Sequence, residues 1–83
     1  MDIIIKFNEA AFRHGISKED ILHALETKII DHQIDGYPEK YVVIGFDCAQ
    51  NPIEVMYNPI DNDSINVFHV MKVRNSTLKI LGL

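Results

Sequence analysis

The chain predicts an α+β fold: a small antiparallel sheet of three to four strands, with two N-terminal helices packed on one face. Three observations carry this. Residues 8–29 join capping residues to helical spacing of apolar side chains. Residues 40–74 hold three strand-like runs separated by short turn signals. Ile3 to Phe7 is a short β-rich run ahead of both.

The elements follow in order. Ile3 to Phe7 reads as a first strand. Asn8 caps a short helix, Glu9 to His14, closed by Gly15. Ser17 caps a second helix, whose first turn carries Glu19 and Asp20, where negative charge suits the helix dipole. Ile21, Leu22, Ala24, Leu25 and Ile29 give that helix one buried face. Residues 31–39 read as a polar loop broken by Gly36 and Pro38. Lys40 to Asp47, Ile53 to Tyr57 and Ser64 to Arg74 form a three-stranded meander, with turns over Asp47–Pro52 and Asn58–Asp63. A short final helix is expected over Thr77 to Leu81, capped by Asn75 or Ser76.

Eighty-three residues make a single domain, and 47% hydrophobic content supplies one core. There is no apolar run long enough for a membrane span, and Met-Asp-Ile-Ile-Ile-Lys lacks the layout of a signal peptide. Cys48 has no partner for a disulfide, which fits a reducing cytoplasm. The net charge of −4 sits in residues 1–39, with four basic and eight acidic side chains; residues 40–83 carry four of each. Long-range attraction of nucleic acid by the whole molecule is not expected, so an RNA contact would be local, or the acidic half would meet a basic partner.

Alternation along the last strand places Ile65, Val67, His69, Met71 and Val73 on one face and Asn66, Phe68, Val70, Lys72 and Arg74 on the other. Matching apolar to apolar sets Ile53, Val55 and Tyr57 beside His69. It leaves Glu54, Met56, Phe68, Val70, Lys72 and Arg74 together. Met56, Phe68 and Val70 then form an apolar patch that, if uncovered, calls for a partner. Lys72 and Arg74, two apart at a strand end, suit successive phosphates; the plain alternative is a solvated strand end. His69 reads as a buried, hydrogen-bonded histidine or as a general acid or base. Arg13 and His14 end the first helix, where cations suit its dipole. Tyr57 reads as core or as a hydroxyl donor. His14, His23 and His32 are nine apart and show no ligand spacing, so neither a metal nor a cofactor is expected.

Phe12-Arg13-His14-Gly15-Ile16-Ser17, followed by Glu19-Asp20, resembles the Lys/Arg-His-Gly-Ile/Val-Ser motif of BrnT-like toxins. Tyr41-Val42-Val43-Ile44-Gly45-Phe46 is similar to their central strand, and Ile65 to Arg74 to their last strand with its basic pair. The match spans roughly residues 5 to 76. The resemblance implies a RelE-like fold and a metal-independent ribonuclease that inhibits translation and is neutralised by a protein antitoxin. Carried over by position, His14 is the motif histidine, Lys72 and Arg74 are the basic pair, and His69 lies in the same strand. The chain departs from the family after Ser76, where a short segment with one charge replaces a basic helix. The alternative is therefore a non-enzymatic domain that binds a protein partner or a second copy of itself.

Overall fold

The computed structural model describes residues 3–80 and 82. In chain order it contains β1 (Ile4–Phe7), a 3-10 turn (Glu9–Phe12), α1 (Lys18–Glu26), β2 (Ile30–Ile34), β3 (Tyr37–Phe46), β4 (Pro52–Pro59), β5 (Ser64–Lys72) and α2 (Asn75–Ile80). The strands make one sheet in the order β1-β5-β4-β3-β2. β2 to β5 form an antiparallel meander. β1 closes its far side parallel to β5, with Ile4 opposite Ser64 and Phe7 opposite Val67.

This mostly β, five-stranded mixed sheet overturns the expectation of two N-terminal helices on a three- to four-stranded antiparallel sheet. Two local causes account for the difference. The segment after Asn8 makes only one 3-10 turn: the Asn8 side chain accepts from the Ala10 amide at 2.9 Å, and Gly15, at φ +77°, ends the segment. Residues 31–39, read as a loop, supply β2 and the start of β3. Asp35-Gly36 is the two-residue hairpin turn between them, with Gly36 at φ +82°. The expected final helix is present but starts at Asn75, and Leu81 lies outside the described residues.

The sheet face bearing Val43, Gly45, Ile53, Val55, Val67 and Val70 carries α1. Ile21, Ala24 and, from the 3-10 turn, Ala11 complete the core, all at 2% exposure or less. Each such branched side chain contributes about 1.5–3 kcal/mol on burial. The end of α1 is tied to the end of β3. His23 Nδ1 donates to the Phe46 carbonyl at 2.8 Å, and the Phe46 amide donates to Thr27 Oγ1 at 3.1 Å. Gly45 makes the close approach possible, because an added Cβ would lie 2.0 Å from the Ala24 carbonyl oxygen.

The register of β5 changes at Phe68. Met56 pairs with His69 but Tyr57 pairs with Val67, so Phe68 is an extra residue, a β-bulge. The bulge breaks the expected alternation. Val67 and Val70, three apart, both point into the α1 core, and Val70 is fully buried there. His69 moves to the opposite face with Met56 and Glu54, while Lys72 pairs with Ile53 on the α1 side. The proposed patch of Met56, Phe68 and Val70 is therefore not one surface. Met56 and Phe68 are half-buried away from α1, and Lys40 Nζ stands 5.5 Å from the Phe68 ring.

Candidate functional site

β4 reads Ile-Glu-Val through its most buried stretch, and Glu54 is fully buried. An ionised carboxylate there must be surrounded by donors. Its Oε1 accepts from the Arg74 amide at 3.1 Å, Arg74 Nε at 3.3 Å and Thr77 Oγ1 at 2.7 Å. Its Oε2 accepts from Arg74 Nη2 at 2.8 Å and faces His69 Nε2 at 3.2 Å. Burial pushes the Glu54 carboxyl upward. The hydrogen bonds from Arg74 and Thr77, with the charge of Arg74, outweigh it, so the carboxyl is held below its ordinary range. No buried side-chain nitrogen or oxygen among the described residues lacks a partner.

An ionised carboxylate only accepts hydrogen bonds. The Nε2 of His69 therefore carries a hydrogen and donates it to Glu54, which leaves Nδ1 as the ring nitrogen turned away from the carboxylate. On its other side His69 meets His14 edge-on, ring centroids 5.7 Å apart. His14 follows the 3-10 turn, which packs along β5 where β1 has ended. His14, Ile16, Met71 and Lys72 line an open cleft of about 250 Å³ at that strand edge.

The structure thus regroups the residues singled out in the sequence. His69 and Arg74, assigned to opposite faces, converge on Glu54. Lys72 and Arg74, assigned to one face, part: Lys72 joins His14 in the cleft, and Arg74 turns to the buried carboxylate. Glu54, which alternation groups with Met56, Phe68, Val70, Lys72 and Arg74, is given no role by the sequence. The signal that could have found it is a lone carboxylate between Ile53 and Val55 in a buried strand, which needs a cation nearby, and Arg74 supplies it.

A larger cavity, about 310 Å³, opens between α1 and the sheet, with Leu22, Leu25, Val43 and Ile65 among its walls. At its side Tyr57 Oη donates to Asp31 Oδ1 at 2.9 Å, and Lys28 Nζ contacts Asp31 Oδ2 at 2.8 Å. Burial and Asp31 push the Tyr57 phenol well above its ordinary range, so it is a fixed donor rather than a base. Tyr57 also stacks on Tyr41 at 5.3 Å, consistent with a core role.

Among the described residues no three His, Cys, Asp or Glu side chains converge as metal donors, and no helix is long and apolar enough to cross a membrane. The chain matches no protein-family model, no curated protein and no solved structure.

Proposed function

We propose that this protein is a metal-independent endoribonuclease of the BrnT-like toxin kind, acting in the cytoplasm and held in check by a protein antitoxin. The observation that carries this reading is the meeting of His14 and His69, residues from two distant segments, at 5.7 Å and beside the Lys72 cleft. RNA cleavage without a metal needs a base for the 2′-hydroxyl, an acid for the leaving 5′-oxygen and a cation for the developing phosphorane charge. The two imidazoles supply the first two roles. Lys72 supplies the third, since Arg74 is engaged by Glu54. The sequence likeness at Phe12–Ser17 supports the same reading, because it makes His14 the motif histidine.

The test is cleavage of a single-stranded RNA in the presence of EDTA. Wild-type protein is expected to cut. His14→Ala and His69→Ala are each expected to lose about 10²- to 10⁴-fold in rate, the usual share of general acid–base catalysis. Lys72→Ala loses less and raises the dependence on salt. Cleavage that survives His14→Ala unchanged would remove the assignment. A second reading is favoured by the acidic balance, −4 overall, and by the engagement of Arg74: a domain that binds a protein partner without cutting RNA. Under that reading wild-type protein neither cleaves RNA nor arrests growth when expressed in a bacterial host.

A further inference from the structure

The two edges of the sheet are built differently. β2 ends one side with exposed Asp31, His32 and Gln33, and with a register break between Gln33 and Ile34. Polar side chains and a bulge are the usual guards against edge-to-edge pairing. β1, on the other side, has a neighbour only in β5 among the described residues. It exposes Ile4 at 58%, Ile3 just before it is 57% exposed, and Lys6 is its one charge. Ile60, 48% exposed, hydrogen-bonds through its amide to Ser64, the register partner of Ile4, so a second exposed isoleucine lies two strands in on the same row.

The backbone of β1 fixes which groups are free. The Ile4 amide donates to Asp63 at 2.7 Å and the Asn8 amide to Val67 at 2.8 Å. By the two-residue period of a strand, Lys6 also turns its amide and carbonyl towards β5, and Ile5 and Phe7 turn theirs to the open edge. An antiparallel strand centred on Ile5 would use all of these.

We propose that β1 pairs with β1 of a second copy across a two-fold axis at Ile5, joining two five-stranded sheets into one. Ile5 then faces Ile5 of the second copy, Ile3 faces Phe7, and Ile4 faces Lys6. The occupant is a second copy because the edge is complementary to itself. Lys6 is within Coulombic range of Asp61, and Ile4 is bonded to Asp63, so the turn before β5 is acidic beside Ile4. The two-fold brings Lys6 of each copy towards that acidic turn of the other. An isologous contact of one short strand is small, so the dimer is weak and depends on concentration.

Sedimentation velocity over a concentration series tests this. Wild-type protein is expected to pass from monomer to dimer below about 1 mM, the range of a weak interface. Ile4→Lys sets lysine opposite Lys6 and is expected to stay monomeric. The pair Ile4→Lys with Lys6→Glu restores opposite charges across the axis and is expected to regain the dimer. Hydrogen exchange gives a readout on the unmodified chain: the Ile5 and Phe7 amides slow with concentration while those of β2 do not. A wild-type chain that stays monomeric overturns the proposal. So does a dimer indifferent to Ile4→Lys, or one whose Ile5 and Phe7 amides exchange freely.

Discussion

Gly45→Ala is expected to cost about 3 kcal/mol or more, at the upper end of what overpacking a core does. The added methyl would lie 2.0 Å from the Ala24 carbonyl oxygen, 2.7 Å from its carbonyl carbon and 2.9 Å from its Cα. All three are backbone atoms of α1, so no side chain can turn aside. The helix must lift from β3, and it cannot do so freely, because His23 and Thr27 tie its end to Phe46. A domain of 83 residues has roughly 4–12 kcal/mol of total stability, so this loss is a large part of it. The contrast is Gly15→Ala. There an added Cβ meets nothing within 4 Å, and the cost is conformational, from φ +77°. About 1–2 kcal/mol is expected. Urea unfolding of both variants checks the pair. Equal losses would mean that α1 does not press on β3 at Gly45.

Gly45 also marks how far the sequence could be read. Its strand, Lys40 to Asp47, was legible from the β-rich run, as was α1 from its Ser17 cap, whose side chain accepts from the Asp20 amide at 3.2 Å. Its contact with Ala24 was not, since helix–sheet distance is a tertiary quantity. β2 was missed because His32, Gln33 and Asp35 look like a loop. An edge strand is stabilised by the ladder to its neighbour rather than by its own side chains, and Asp35-Gly36 was the turn signal. The 3-10 turn was read as a helix because caps are local while helix length depends on packing.

The candidate site was hidden by one residue. Without the Phe68 bulge, His69 would point into the α1 core and Val70 away from it. A bulge in β5 cannot be read from Asn-Val-Phe-His-Val by alternation alone, because the run satisfies a regular strand equally well. The spacing of Val67 and Val70 makes sense only once both are known to be buried. The bulge brings His69 to Glu54, and Glu54 joins His69 to Arg74 and α2. The residues named from the sequence are therefore grouped differently in the fold: His69 and Arg74 meet at Glu54, and Lys72 lies with His14. Bulges commonly re-aim a side chain beside a functional site, and here the re-aimed side chain is one of the two histidines that meet.

Glu54→Ala is expected to destabilise the protein by about 3 kcal/mol, the scale for removing one member of a buried ion pair and leaving buried donors unpaired. Thr77, 3% exposed, and the Arg74 amide just before α2 lose their acceptor, so α2 loses the hydrogen bonds from Thr77 and Arg74 that hold its start to β4. The Arg74 guanidinium adds less to the loss, because its side chain is 44% exposed and can hydrate. For a domain of this size the melting temperature falls by roughly 12–24 °C. The pH dependence separates this charge from simple packing. The carboxyl of Glu54 is held below its ordinary range in the fold. Its contribution is therefore complete above the unfolded value, near pH 4.5, and is lost as pH falls through the lower folded value. Wild-type stability should decline on that acid side, and the Glu54→Ala curve should be flatter there. Arg74→Ala should flatten it as well: without the guanidinium, burial pulls the folded value back towards the unfolded one and the linkage shrinks. Chemical denaturation from pH 7 down to about pH 3 measures all three curves. Parallel acid limbs in wild type and Glu54→Ala would mean that Glu54 is not held ionised by Arg74 and Thr77. The assignment of the His69 Nε2 proton, which rests on that charge, would then fall with it.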